Sequence, residues 1–137
     1  MRAVLDPNVI IPAALSPGGS PGRVFRYWLE GTFDLVVSPM LLDELSRALG
    51  YPKLRSRIPA DEAKALLDLV TRGGVAAADP RTPSQVSSAD PDDDYLIALA
   101  SVSRSVLVSG DQDLLELSDV IPVYSPLAFI TFIEESG

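Results

Sequence analysis

Neither cysteine nor histidine occurs in the 137 residues. Without cysteine there is no disulfide framework, no zinc–thiolate site and no thiol nucleophile. Without histidine, Ser–His–Asp catalysis, histidine–zinc centres and imidazole proton shuttles are excluded. Lysine is nearly missing too, at Lys53 and Lys64 only. No apolar run approaches the roughly 20 residues that a membrane-spanning helix needs. The opening Met1-Arg2-Ala3-Val4-Leu5-Asp6 reaches an acid too early for a secretory signal. The expectation is a cytoplasmic protein with no membrane contact. Any catalysis must use carboxylates, hydroxyls and Lys or Arg, with or without a hard metal ion.

Carboxylates are plentiful. The chain has 19 Asp and Glu against 11 Lys and Arg, a net charge of −8. Spread evenly, that charge would oppose a polyanionic partner. It is concentrated instead: Asp6, Glu44, Asp90, Asp92, Asp93, Asp94, Asp111 and Asp113 are eight of the 19, and the other 11 balance the 11 bases. A bound divalent cation would relieve part of the excess. Hydrophobic content of 47% with 22% charged residues is a globular composition. The length suits one domain over 1–137 with a single core.

Strand and helix patterns alternate along the chain. Residues 2–5 form a short apolar strand ending at Asp6, and Pro7 fits the start of a helix over 8–15 that Pro12 strains. A turn-rich stretch over 16–22 precedes a helical stripe of Val24, Phe25, Trp28 and Leu29, stopped by Gly31. A strand over 33–37 leads to a helix capped by Ser38, with Leu41, Leu42, Leu45, Ala48 and Leu49 inward. Glu44 lies at the margin of that stripe. Another helix over 60–72 turns Ala63, Leu66, Leu67 and Val70 inward, before a weak strand over 75–77. The stretch 79–89 reads as a Pro/Ser-rich loop.

The segment Asp90-Pro91-Asp92-Asp93-Asp94 then opens an alanine-rich helix, with Asp90 as N-cap and Pro91 at the first position. Leu96, Ile97 and Ala100 share one face, and Asp93 heads it. Acids in a first turn also suit the helix dipole, which alone would account for their presence. Residues 105–108 are the clearest strand and run into Ser109-Gly110-Asp111-Gln112-Asp113. Leu114, Leu115 and Leu117 suggest a short helix, 121–124 an edge strand, and Ser125-Pro126 the start of a last helix through Phe129 and Ile133.

Strands separated by helices indicate an α/β protein with a mainly parallel sheet. Sites in such sheets form outside the carboxyl ends of the strands. Asp6, Glu44, Asp93 and Asp111 all arrive at that edge. Crowded carboxylates cannot all ionise unless something positive intervenes. Oxygen-only ligation suits Mg²⁺ or Mn²⁺, which polarise a phosphodiester and lower the pKa of water.

These motifs, Leu5-Asp6-Pro7-Asn8-Val9, Ser38-Pro39-Met40-Leu41-Leu42-Asp43-Glu44-Leu45, Asp90 to Asp94 with its helix, and Val108-Ser109-Gly110-Asp111-Gln112-Asp113-Leu114, resemble a PIN domain in order and spacing. The likeness is greatest to prokaryotic toxins of type II toxin–antitoxin pairs (VapC-like). It implies a three-layer α/β/α sandwich around a five-stranded sheet. It also implies a Mg²⁺- or Mn²⁺-dependent endoribonuclease acting on single-stranded RNA, held in check by an antitoxin and commonly dimeric or of higher order. Carried over, Asp6, Glu44, Asp93 and Asp111 become the catalytic, metal-binding acids. Asp113 is a further ligand, and Asp94 the alternative to Asp93. Asn8 would orient Asp6, and Ser109 supplies the hydroxyl before the last acid. Pro7 departs from the family, which usually has a threonine or small residue there, and removes a backbone donor beside Asp6.

Lys53, Arg55 and Arg57 form the one basic cluster, suited to RNA phosphates or to a solvated face. Phe129, Phe132 and Trp28 are candidates for a dimer contact. A haloacid-dehalogenase phosphatase is disfavoured because its proton donor would fall at Asn8. A receiver domain is disfavoured because no acid ends the second strand. A PIN fold serving as a binding scaffold is the rival from a different class.

Overall fold

A computed structural model describes residues 1–82 and 84–136. Pro83, within the stretch 79–89 read as a loop, lies outside the described residues, as does Gly137.

Five strands, β1 (Arg2–Leu5), β2 (Asp34–Val37), β3 (Val75–Ala76), β4 (Val106–Val108) and β5 (Val123–Tyr124), form one sheet in the order β3-β2-β1-β4-β5. Every pairing is parallel; Ala3 faces Leu35 on one side and Val106 on the other. β1 is central, so Ala3, Val4 and Leu5 are fully buried. A parallel interior strand is covered on both faces, which is why this stretch is uniformly apolar rather than alternating.

The helices are α1 (Pro7–Leu15), α2 (Ser20–Leu29), α3 (Pro39–Leu49), α4 (Pro52–Arg55), α5 (Ala60–Gly73), α6 (Asp94–Val102), α7 (Gln112–Leu115) and α8 (Pro126–Ser136). α2 packs on α1 and α8, α3 on α1 and α5, and α6 on β1 and β4. With right-handed crossovers, β1 to β2 to β3 steps one way across the sheet and β4 to β5 the other, which sends their helices to opposite faces. The result is the α/β/α sandwich. Among the described residues no helix is long and apolar enough to cross a membrane.

Local chemistry sets the helix starts. Ser38 Oγ accepts from Leu41 N–H at 3.3 Å, and Pro39 occupies the first position of α3. α1 continues through Pro12, whose missing donor leaves only the Asn8 carbonyl without its helical partner, one turn from the start. The turn before α6 differs from expectation. Asp90 caps a 3₁₀ turn over Pro91–Asp93, accepting from Asp92 N–H, and the α-helix proper starts at Asp94. α6 is not one-sided either: Leu96 through Ala100 are all buried, because the helix lies across the junction of β1 and β4.

Other expectations need correcting. Leu29 is 56% exposed, since α2 ends there and its last turn overhangs the core. Leu117 lies beyond α7, in the turn that follows. Phe129 and Trp28 are buried and Phe132 half-buried, so none offers an exposed dimer contact. Phe129 packs edge-on to Phe33 at 5.2 Å, and Trp28 edge-on to Phe25 at 5.1 Å, as core aromatics do.

Candidate metal centre

The strand order reverses between β1 and β4, so the crevice outside their carboxyl ends is the switch point where α/β sheets bind ligands. Asp6 follows β1 there and Asp111 follows β4. Asp6 is only 5% exposed. Its main chain extends the ladder, N–H to Val108 O at 2.9 Å, which fixes where the side chain projects.

Two donors hold the Asp6 carboxylate. Asn8 N–H reaches Oδ1 at 3.0 Å and Ser109 Oγ reaches Oδ2 at 2.9 Å. Pro7 therefore removes a donor that the next residue supplies, and it stands at the helix position where an N–H would lack a partner anyway. Asn8 orients Asp6 through its backbone rather than its side chain. The side-chain Oδ1 accepts from Gly110 N–H at 3.1 Å and ties the β4–α7 turn to α1. Ser109 Oγ also accepts from Asp111 N–H at 3.0 Å, so one buried hydroxyl sets both acids. Asp111 Oδ1 accepts from Asp113 N–H at 3.0 Å, capping α7.

Asp90, Asp93 and Asp111 each offer a carboxylate oxygen within 4.8 Å of the others. Asp93 Oδ2 is buried and, among the described residues, has no hydrogen-bond donor. The Asp93 carboxyl is pushed up to about 8 from an ordinary 3.8, first by burial. Asp111 beside it raises it further, because that carboxylate accepts a hydrogen bond only from the protonated form; the charges of Asp6 and Asp90 add to this. Asp6 rises to about 6, mainly by burial, with Glu44 and Asp111 contributing and the Asn8 and Ser109 donors opposing. Such mutual repulsion with an orphaned oxygen is what a hard divalent cation relieves, and acid-only donors match Mg²⁺ or Mn²⁺. The residues present fit such an ion.

The remaining predicted residues are placed differently. Glu44 is half-buried, near enough for its charge to raise Asp6, and accepts a hydrogen bond from Tyr95 OH at Oε2. Burial and Glu44 together raise the Tyr95 phenol. Asp94 turns away: its Oδ1 accepts from Ser88 N–H at 2.7 Å and anchors the preceding loop. Asp6, Glu44 and Asp113, all expected as ligands, fall outside the trio of close oxygens, though Asp6 is near enough for its charge to raise Asp93. Lys53, Arg55 and Arg57 are exposed on and just after α4.

Asp79, Tyr95 and the ligand-distance position of Asp90 were not singled out by sequence reasoning. Asp79 Oδ2 accepts from Met40 N–H at 2.9 Å at the start of α3, while its Oδ1 is buried and, among the described residues, has no partner. The signal for Asp79 existed: it follows the end of β3 at the interval at which Asp111 follows the end of β4. Tyr95 and Asp92 both line a cleft of ≈ 550 Å³ with Glu44 and Tyr51.

A PIN domain family pattern matches residues 2–113, a span that runs from β1 into α7 and holds every acid described above. Over 120 residues the chain is 32% identical to the uncharacterized protein MJ1680 of Methanocaldococcus jannaschii, covering 87% of this chain and 76% of that protein. Its fold is similar to the crystal structure of VapBC2 from Rickettsia felis bound to a DNA fragment from their promoter. There the TM-score is 0.62 at 12% identity, with 91% of this chain and 98% of that chain covered. With the family pattern spanning the whole acidic crevice, the chain belongs to the PIN-domain family, whose members are generally nucleases.

Proposed function

We propose that the chain is a Mg²⁺- or Mn²⁺-dependent endoribonuclease that cuts single-stranded RNA and serves as the toxin of a toxin–antitoxin pair. The observation that carries the reading is the approach of Asp90, Asp93 and Asp111 to within 4.8 Å of one another, with buried Asp6 near them and, among the described residues, no donor to Asp93 Oδ2. Asp90, Asp93 and Asp111 would hold the ion, with Asp6 and Glu44 beside it. A bound divalent ion supplies charge stabilisation at the phosphodiester and makes water a better nucleophile near neutral pH. The chain's own residues do the rest. Asp6 is held in one orientation by Asn8 N–H and Ser109, and one ionised carboxylate of the group takes the proton from the attacking water. Glu44 is kept in place by Tyr95.

The cleft lined by Glu44, Asp92, Tyr95 and Tyr51 offers a path for the strand. Tyr51 is 59% exposed and suits base stacking; Lys53, Arg55 and Arg57 follow it and suit phosphates. The VapBC2 likeness supports looking for an antitoxin partner. Self-association would use other apolar residues than the buried aromatics, such as Leu29 and Leu127, exposed on the packed helices α2 and α8.

The test is cleavage of a labelled single-stranded RNA with Mg²⁺ or Mn²⁺ by the wild type, Asp6→Asn and Asp93→Asn, with double-stranded RNA and single-stranded DNA as controls. Each substitution is expected to slow cleavage roughly 10²-fold or more. Cleavage that survives both substitutions and EDTA would overturn the reading; metal binding without cleavage would leave the fold as a scaffold.

A further inference from the structure

We propose that a second cleft, at the opposite end of the sheet, binds a small organic anion that carries an apolar body. This cleft measures ≈ 670 Å³ and lies at the N-terminal edge of β1, β4 and β5, beneath the last turn of α6. Its size falls within the range of small-molecule sites. In a chain with 19 acids and 11 bases, no acid lines it among the described residues, whereas Arg2 and Arg104 both do. Among the described residues neither arginine takes part in an ion pair. Ile97, Val120 and Ile121 supply apolar wall, and Val120 is 66% exposed.

The backbone at Arg104 singles this residue out. Its φ is 54°, the left-handed region, and it is the one described non-glycine residue with a positive φ. It terminates α6: Ser105 N–H bonds back to Ala100 O at 2.9 Å across it, a helix stop that normally takes glycine. A cation near a helix carboxyl end is favourable, but a position one turn earlier provides that without a left-handed side chain. The strained position instead places Arg104 in the wall of the cleft, and strain of this kind gathers at binding sites. Arg2 is fixed there as well, its Nη1 donating to Ser103 O at 3.3 Å. Two guanidinium forks suit a carboxylate, sulfonate or phosphate head, and Ile97, Val120 and Ile121 suit an apolar tail. The site is independent of the nuclease reading, since the acidic crevice lies at the other end of β1.

The probe is 1-anilinonaphthalene-8-sulfonate, with neutral N-phenyl-1-naphthylamine as its uncharged counterpart. The full chain is expected to bind one sulfonate per molecule saturably, and Arg2→Gln or Arg104→Gln to weaken it about tenfold, a loss of about 1.4 kcal/mol. The neutral probe should be indifferent to both. Arg104→Gly should weaken the sulfonate equally while raising Tm, and Asp93→Asn should leave binding unchanged. Competition by adenosine monophosphate against octanoate then separates a phosphate head from a carboxylate one. Unsaturable binding, equal affinity in the arginine variants, or a lowered Tm in Arg104→Gly would each overturn the proposal.

Discussion

Ser109 Oγ lies 2.9 Å from Asp6 Oδ2, joining residues 103 apart in sequence, and both side chains are buried. The same hydroxyl oxygen accepts from Asp111 N–H. The spacing between the acid after β1 and the acid after β4 is thus set by one serine.

Ser109→Ala leaves Asp6 buried with one donor fewer. Stability should drop by about 1–3 kcal/mol, the cost of an unsatisfied buried group, measured as a lower urea midpoint at pH 8. The Asp6 carboxyl should also titrate above its present value of about 6, because Ser109 is one of the donors that lower it. An unchanged titration by NMR would contradict the assigned role.

Stability in the absence of divalent ions should fall as pH rises from 4 to 9. Asp6 and Asp93 hold their protons more tightly in the folded chain, with values of about 6 and about 8 against an ordinary 3.8. Their favourable contribution is full below that ordinary value and is lost as pH passes through the folded ones. Asp6→Asn and Asp93→Asn should each flatten the decline of Tm. Mn²⁺ should raise Tm more at pH 8 than at pH 5, where it competes with protons; equal shifts at both would count against the site.

Tyr95→Phe removes the hydroxyl that positions Glu44 and keeps the ring. A partner that orients a metal ligand typically changes metal affinity by about 10-fold to 100-fold, and Glu44 stands beside the three acids that would hold the ion rather than among them. A loss near the lower end is expected in Mn²⁺ titrations, with little change in Tm. In the background of Glu44→Gln the same substitution should have no further effect, as a double-mutant cycle would reveal.

Gly22→Ala should destabilise the fold by about 1–3 kcal/mol or more. A Cβ at Gly22 would sit 2.1 Å from Pro17 O, a backbone atom that cannot swing aside. Urea unfolding checks this, and an unchanged midpoint would mean that the turn before α2 relaxes freely.

Much of this protein was legible from residue order. The apolar run 2–5, the Ser38-Pro39 start and the Asp90-Pro91 start signal their elements locally, through burial pattern and capping chemistry, and the acids follow those signals to one edge. The family resemblance rested on the same four motifs. Boundaries were less legible where tertiary packing competes with propensity, as at the 3₁₀ turn before α6 and the overhanging Leu29.

Residue order by itself determined the chemistry available: carboxylates without histidine or cysteine, delivered at the ends of parallel strands. Only the tertiary structure decided which carboxylates meet. Asp93 joins Asp90 and Asp111 while Asp94 anchors a loop, because a 3₁₀ turn rather than an α-turn sets their directions. Asp79 and Tyr95 matter through contacts with residues 39 and 51 positions away, and no local pattern encodes such distances.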